Sequence, residues 1–134
     1  MTYFAKINPT ETPDIFIVSD VIRASQEVID SGEFGNPQEW IETSYNTYGG
    51  IYYIPNSNPL QPDPDQSKAL RANYAGLEYT FDSINDVFYA PKPSGNNWTI
   101  GPPTWLWVDS SPQPTPISSD FTISVGTSGD TITF

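Results

Sequence analysis

The sequence lacks two residue types that carry much of protein chemistry, since its 134 residues include no cysteine and no histidine. Without cysteine the chain forms no disulfide and offers no thiolate as a metal ligand or nucleophile. Without histidine it has no Ser-His-Asp triad, and it lacks the side chain that most often acts as a general base near neutral pH. We therefore expect a protein that is not an enzyme and that holds no metal and no cofactor.

Positive charge is also scarce. Five Lys and Arg residues stand against 16 Asp and Glu, which gives a net charge of −11, and the five are scattered along the chain. Binding to nucleic acid requires clustered cations that displace counterions from the phosphates, and an anionic membrane attracts the same kind of cluster. The sequence therefore predicts no nucleic-acid partner and no membrane partner, whereas an acidic surface complements a basic protein surface.

Long apolar runs are missing as well. No stretch approaches the roughly 20 apolar residues that span a bilayer. Residues 1–9 have neither the basic region nor the apolar run of a signal peptide. The sequence therefore predicts a protein that is made in a cytoplasm and is not exported by the usual route.

Aromatic and turn-forming residues are what the chain has instead. Aromatics make up 14% of the residues, there are 14 prolines, and charged residues reach only 16%, where about 25% is usual. Residues 74–93 show the resulting pattern most clearly, because Leu77, Tyr79 and Phe81 alternate with polar residues, Asp82 opens a turn, and the chain then runs back. This pattern predicts a hairpin around which the rest of the chain is arranged.

Short strands and one helix are predicted on either side of this hairpin. Asp20 has the chemistry of a helix N-cap, and the apolar stripe that follows it predicts a helix over about residues 20–31. Gly49 and Gly50 form a turn rather than a phosphate-binding loop, because a strand follows them and no Lys-Ser/Thr does. Short segments rich in aromatic and β-branched residues predict strands over residues 3–7, 14–18, 40–45, 51–54, 98–100 and 104–108, the last two pairing with each other.

The C-terminal residues differ in composition from the rest. Residues 109–119 include Pro112, Pro114 and Pro116 and predict an extended, polyproline-like connector. Residues 120–134 alternate around a Gly-rich turn and predict a β-hairpin arm, which is marginal in water unless it pairs with another surface. We expect a mainly β fold (α+β with one short helix): a small antiparallel, hairpin-built domain over residues 1–108, and an extended C-terminal β arm that pairs with a neighbouring subunit.

Asp63 and Asp65, with Gln61 and Gln66 beside them, lie in a Pro/Asp-rich loop and offer oxygen atoms to a calcium ion. The spacing lacks the glycine and the terminal glutamate of an EF-hand loop. The sequence therefore favours a solvated loop over a calcium site.

Asp82 and Asp86 bracket the turn of the predicted hairpin, and they present a possible glycosidase carboxylate pair. Glycosidase carboxylates face each other across a sugar cleft at defined separations, whereas acids at the two ends of one turn usually form the turn itself. The sequence favours the turn-forming role.

Trp98, Trp105 and Trp107 are the candidate ligand-binding aromatics, together with four tyrosines: Tyr52, Tyr53, Tyr79 and Tyr89. In a strand, Trp105 and Trp107 point to one face, so their rings form either part of the core or a stacking platform for sugars. A small β domain needs its aromatic area inside. The core is therefore favoured, with Trp107 as the expected exception.

Several stretches of the chain are similar to a known family. They are an N-terminal Phe-Ala-Lys-Ile strand, the string from Trp40 to Tyr53, residues 69–79, the Asp-Ser-x-Asn-Asp-Val-Phe-Tyr-Ala-Pro-Lys-Pro segment at 82–93, and a downstream Trp-Leu-Trp. The set resembles a family of small uncharacterised virion-associated proteins of tailed phages that infect cyanobacteria and other aquatic bacteria. The resemblance covers about residues 3–108, and Trp40 to Tyr53 is its most specific part. Family members commonly continue with Ser-Trp-Val-Leu-Asn, whereas this chain reads Ser-Gly-Asn-Asn-Trp at 94–98, and residues 109–134 have no counterpart in the family.

The resemblance implies a virion structural role and supplies no catalytic residue. We expect a capsid decoration or cement protein, located in the virion, that pairs its β edges with the major capsid protein or another virion structural protein and forms a homo-oligomer in the particle. The alternative is a tail- or neck-fibre-associated module that binds host-surface glycans through Trp98, Trp105 and Trp107. The expected partner-binding residues are the apolar residues of the arm and one tryptophan: Phe121, Ile123, Val125, Ile132, Phe134 and Trp107.

Overall fold

The computed structural model of the chain describes residues 2–110. The mainly β class with few helices is confirmed. The arm and most of the connector lie outside the described residues. So do the five arm residues that are predicted to bind a partner: Phe121, Ile123, Val125, Ile132 and Phe134.

The elements in chain order are β1 (Thr2–Pro9), β2 (Ile15–Ala24), α1 (Gln26–Asp30), a 3-10 turn (Pro37–Glu39), β3 (Trp40–Thr43), β4 (Thr47–Tyr48), β5 (Ile51–Tyr52), β6 (Thr80–Asp82), β7 (Val87–Tyr89), β8 (Trp98–Thr99) and β9 (Val108–Asp109).

Five of the strands form one antiparallel sheet in the order β3-β1-β2-β6-β7. Its longest hairpin joins β1 and β2, with Thr2 opposite Ala24 and Pro9 opposite Phe16. Thr10 closes the turn between them, since its Oγ1 donates a hydrogen bond to the carbonyl of Ile15 at 2.8 Å. Two further strand pairs, β4–β5 and β8–β9, lie outside this sheet. The predicted opening hairpin is therefore present, and it is longer than its sequence pattern indicates.

Each face of the sheet carries its own hydrophobic cluster, because successive residues of a strand point to opposite faces. On β1, Ala5 and Ile7 belong to the first cluster, and Phe4 belongs to the second. Helix α1 covers the second face through the buried side chain of Ile29. The first cluster comprises Ala5, Ile7, Val18, Ala75, Phe81 and Phe88, and the second comprises Phe4, Ala24, Ile29 and Trp40.

The prediction of a helix over residues 20–31 is wrong in its first half. Strand β2 continues through Ala24, and the helix spans only Gln26–Asp30. Its N-cap is Ser25, whose Oγ accepts a hydrogen bond from the backbone N–H of Val28 at 3.2 Å. Residues 20–24 lie opposite residues 2–6 of β1, and β-branched residues in this segment suit a strand as well as a helix. Pairing with β1 therefore decides the conformation.

The hairpin over residues 74–93 is present but does not organise the sheet. Its strands, β6 and β7, lie at one edge, whereas β2 occupies the middle. The strand also begins later than its alternation predicts, because Glu78 has a positive φ of 70° that no regular strand allows. Leu77, which the pattern places on the buried face, is 62% exposed.

The pairing of residues 98–100 with 104–108 is also wrong in register. Trp98 lies opposite Asp109, and Thr99 lies opposite Val108. The segment between them is a loop in which Trp105 has a φ of 52°, so Trp105 and Trp107 do not share one face of a strand. We call this segment, residues 100–107, the tryptophan loop.

Arg71 joins the two outer edges of the sheet. Its backbone carbonyl accepts a hydrogen bond from the N–H of Phe88 on β7 at 2.9 Å, and its Nη1 donates to the carbonyl of Glu42 on β3 at 3.0 Å. Its Nε also pairs with the carboxylate of Asp86 at 2.8 Å. Since unpaired edge strands are where other chains add strands, internal bonds at these atoms reduce the edge available for pairing with another molecule.

Candidate functional site

Asn73 is the buried polar side chain that assembles the loops around the candidate site, and it is 3% exposed. Its Oδ1 accepts a hydrogen bond from the N–H of Gly49 at 2.8 Å. Its Nδ2 donates to the carbonyl of Phe88 at 3.0 Å and to the carbonyl of Trp105 at 3.1 Å. One amide thus holds the β4–β5 turn, strand β7 and the tryptophan loop together.

The Gly49-Gly50 turn packs directly against the tryptophan loop. Gly50 has a φ of 83°, and a Cβ built there lies only 2.8 Å from the carbonyl oxygen of Pro103. Its N–H donates to the carbonyl of Ala72 at 2.8 Å. Glycine is therefore required both for the positive φ and for the close approach, and these glycines set the position of a loop, as the sequence indicates.

A cleft of about 270 Å³ opens between this turn, the segment after β7 and the tryptophan loop. We call it the tryptophan cleft. Most of its lining is aromatic or proline, and none of its lining residues carries a charge. The lining residues are Tyr48, Asn73, Tyr79, Ala90, Pro91, Pro93, Trp105, Leu106 and Trp107.

Tyr89 holds the two indoles of the tryptophan cleft. The ring of Trp105 stacks on Tyr89 with centroids 6.0 Å apart and an interplanar angle of 15°, and Trp107 meets Tyr89 edge-on at 6.1 Å. The Nε1 of Trp107 donates to the carbonyl of Ala90 at 2.7 Å. Burial raises the pKa of the Tyr89 phenol, the nearby charge of Asp82 raises it further, and a hydrogen bond with Thr80 opposes the shift. Both tryptophans are half-buried, so they belong to neither the buried core nor a fully open platform.

The cleft has unused hydrogen-bond donors beside its aromatic faces. The amide of Asn73 and the indole N–H of Trp107 are already bonded within the chain. Within residues 2–110, no hydrogen bond is made by the hydroxyls of Tyr48 and Tyr79 or by the indole N–H of Trp105. The lining residues therefore carry three donor groups with no partner among the described residues, and none of the lining residues is charged.

Trp98 does not join the other two tryptophans in this cleft. It lies on β8, and its Nε1 donates to the carbonyl of Ser94 at 2.9 Å. The three predicted glycan-binding residues are thus divided, with Trp105 and Trp107 in the cleft and Trp98 outside its lining.

A second cleft, of about 530 Å³, lies beside the β1–β3 edge of the sheet. We call it the tyrosine cleft. Unlike the first, it combines aromatic rings with hydroxyls and with charges of both signs. Its lining residues are Thr2, Tyr3, Glu42, Ser44, Tyr45, Tyr52, Ser67, Lys68 and Leu70.

Aromatic contacts fix the walls of the tyrosine cleft. The rings of Tyr3, Tyr45 and Tyr74 contact one another at centroid distances of 5.2–5.6 Å, and the Nζ of Lys68 lies 5.9 Å from the ring centroid of Tyr52. Burial raises the pKa of the Tyr74 phenol, and the neighbouring Tyr3 and Tyr45 raise it further. Tyr74 therefore stays protonated, and neutral, to a higher pH than a free tyrosine.

The acids of the Pro/Asp-rich loop cap the backbone of that loop. Asp63 Oδ1 accepts from the N–H of Asp65, and Asp65 Oδ1 accepts from the N–H of Ser67, both at 2.9 Å. The bonds from Ser67, first its backbone N–H and then its side chain, lower the pKa of the Asp65 carboxyl. Gln66 pairs through its side chain with both the N–H and the carbonyl of Tyr52 at 2.8 Å. In the part of the chain that the structure describes, no group of three or more acidic side chains is placed to hold a metal ion.

Asp82 and Asp86 stabilise the β6–β7 turn and do not face each other across a cleft. Asp82 Oδ1 accepts from the N–H groups of Ile84 and Asn85 at 3.0 and 3.1 Å, while Asp86 pairs with Arg71. Neither carboxylate lines the tryptophan cleft or the tyrosine cleft.

No protein-family model matches the chain, and neither a curated protein nor a solved structure matches it. The described residues contain no helix with the length and apolar character needed to cross a membrane.

Several residues of these sites were not singled out by the sequence. Asn73 and Arg71 follow a Pro-rich loop and resemble ordinary polar residues there. Tyr3, Tyr45 and Tyr74 are far apart in sequence and meet only through the sheet. Among these missed residues, only Tyr48 could have been identified from the sequence. It directly precedes the Gly-Gly turn, and an aromatic side chain at the end of a hairpin is expected to be exposed.

Proposed function

We propose that the chain is a non-enzymatic structural protein of a tailed phage that decorates or cements the capsid by binding the major capsid protein or another virion structural protein. The sequence resemblance over residues 3–108 supports this role. The structural observation that carries it is Arg71, whose bonds occupy one backbone group on each outer strand, the carbonyl of Glu42 on β3 and the N–H of Phe88 on β7. An edge with fewer free backbone groups pairs less readily with the edge of another copy, which suits a protein that coats a surface without polymerising.

Attachment then depends on the segment that follows the body. Phe121, Ile123 and Val125 alternate with polar residues, as do Ile132 and Phe134, and this alternation predicts that each set shares one face of a strand. Such a strand adds to an exposed sheet of a partner through main-chain hydrogen bonds, with the alternate side chains supplying specificity. An arm that binds the assembled shell and not its free subunits stabilises the particle by mass action.

Truncation after Ser119 is expected to abolish incorporation of the protein into particles while the body stays folded. Quantitative mass spectrometry of purified particles measures the occupancy. The double variant Phe121→Ser/Ile123→Ser should reproduce the loss, whereas Thr122→Ala/Ser124→Ala, on the opposite face of the same strand, should keep normal occupancy. Normal occupancy of the truncated chain would refute this role of the arm, and a wild-type copy number far below that of the major capsid protein would contradict the capsid position.

A tail- or neck-fibre-associated module that binds host glycans is the second candidate, and the tyrosine cleft favours it. Ligand sites combine apolar and aromatic walls with a few polar groups that fix orientation. The tyrosine cleft supplies Tyr3 and Tyr45 as walls and Glu42 and Lys68 as polar groups, which the uncharged tryptophan cleft does not. Within the described residues, the glycan chemistry therefore fits this cleft better than the predicted tryptophan trio.

Oligosaccharide titration followed by NMR tests this candidate. We expect millimolar sugar to shift resonances of Tyr45 and its neighbours, and Tyr45→Ser to remove the shifts. Tyr48→Ser is the matched control, since Tyr48 is 59% and Tyr45 55% exposed and Tyr48 lies in the other cleft. Shifts that survive Tyr45→Ser, or no shifts at all, count against a glycan site here.

A further inference from the structure

We propose that the tryptophan cleft binds the proline-rich residues 112–116 of a second copy of this chain. The inference concerns association of the chain with itself, so it does not depend on the virion role.

The chemistry of the cleft matches a proline-rich segment. Extended polyproline segments dock in grooves lined by aromatic side chains, and the cleft is walled by Tyr48, Tyr79, Trp105 and Trp107. Proline offers a carbonyl acceptor but no N–H donor. The unbonded donors of the cleft, two phenol hydroxyls and the indole N–H of Trp105, therefore meet a ligand whose backbone is rich in acceptors.

The distribution of charge also favours pairing of the tryptophan cleft with the proline-rich segment. The protein carries a net charge of −11, so two copies repel each other over most of their surface. The lining of the cleft holds no charged residue, and residues 111–119, Ser-Pro-Gln-Pro-Thr-Pro-Ile-Ser-Ser, hold none either. Contact between these two uncharged parts therefore brings none of the acidic side chains of one copy directly against those of the other.

The position of Ser110 favours a second copy over the chain's own segment. Its N–H and its Oγ both donate to the carbonyl of Asn97, which fixes the chain two residues before Pro112. Trp107 of the cleft lies only three residues before this anchor. A polyproline segment advances about 3.1 Å per residue and is semi-rigid, and only Ser111 separates the anchor from Pro112, so docking into the cleft of its own chain would require a reversal within that one residue. Reciprocal exchange of the segments then gives a closed, two-fold dimer.

Sedimentation of the full chain over a range of concentrations tests the proposal. The wild type should form a concentration-dependent dimer. The triple variant Pro112→Ala/Pro114→Ala/Pro116→Ala and the cleft variant Tyr48→Ser should each weaken dimerisation at least about tenfold, which corresponds to the loss of roughly 1.4 kcal/mol. Ile84→Ser, which changes an apolar residue that is 75% exposed and lines neither cleft, should dimerise as the wild type does, and thermal melting checks that all variants are folded.

Mixing the two defective variants identifies the occupant. The Tyr48→Ser chain keeps its prolines and the triple variant keeps its cleft, so the mixture should associate more strongly than either variant alone. The proposal is overturned by a monomeric wild type, by a dimer that neither variant weakens, or by a mixture that recovers nothing. Failure here leaves particle incorporation unaffected, because that test removes only residues after Ser119.

Discussion

Replacing Asn73 with leucine should lower the free energy of unfolding by about 3 kcal/mol, although the two side chains are similar in size. The substitution leaves the N–H of Gly49 and the carbonyls of Phe88 and Trp105 without their partner, and each buried polar group left unpaired costs roughly 1–3 kcal/mol. For a domain of this size, ~1 kcal/mol lowers the Tm by about 4–8 °C. Thermal melting followed by circular dichroism should therefore show a fall of more than about 10 °C.

Asn96→Leu is the matched control for this experiment. Asn96 is exposed, and it makes no side-chain hydrogen bond within residues 2–110, so its replacement should change stability by less than about 0.5 kcal/mol. Asn73→Asp keeps an acceptor for Gly49 but loses both donors and buries a charge. Burial raises the pKa of such a carboxyl, so its stability should fall as the pH rises above the unfolded value of about 3.9. An Asn73→Leu protein that melts with the wild type would mean that Asn73 does not hold the loops together.

Local pattern identified strands where it agreed with long-range pairing. Residues 3–7 and 14–18 are short, mostly apolar segments on either side of a Pro-containing turn, and they do lie in the two strands of a hairpin. Residues 20–24 fit a helical stripe and a strand almost equally well, and only the presence of β1 opposite them decides for the strand. Sequence spacing contains no information about that partner, so the start of the helix was misplaced.

The candidate clefts were harder to predict than the fold class, because they depend on which loops meet. Trp105 and Trp107 were identified as candidates from their chemistry, but a strand geometry was assumed for them. The positive φ of Trp105 and the amide of Asn73 place them around Tyr89 instead. Of the residues in the tyrosine cleft, only Tyr52 was among the candidate aromatics, because Tyr3, Tyr45 and Tyr74 come from three separate parts of the chain.

Phe88 and Leu77 provide a second test with a large expected difference. Phe88 is 0% exposed, and its ring centroid lies 5.0 Å from that of Phe81 in the first hydrophobic cluster. Phe88→Ala should cost about 3–5 kcal/mol, since it removes buried area and leaves a cavity. Leu77→Ala should cost less than about 0.5 kcal/mol, because an exposed side chain contributes little to stability. Urea unfolding at equilibrium measures both values.

The alternation of Leu77, Tyr79 and Phe81 makes the opposite prediction for Leu77, so this pair separates the sequence pattern from the structure. Small domains are stable by about 5–15 kcal/mol in total, and Phe88→Ala therefore removes a large share of the stability. If that variant does not fold, Phe88→Leu provides a milder test of the same site, with a smaller cavity and a smaller loss. A loss of more than about 2 kcal/mol of unfolding free energy for Leu77→Ala would show that Leu77 is buried in solution. The positive φ of Glu78, which turns the chain away from a regular strand, would then be wrong.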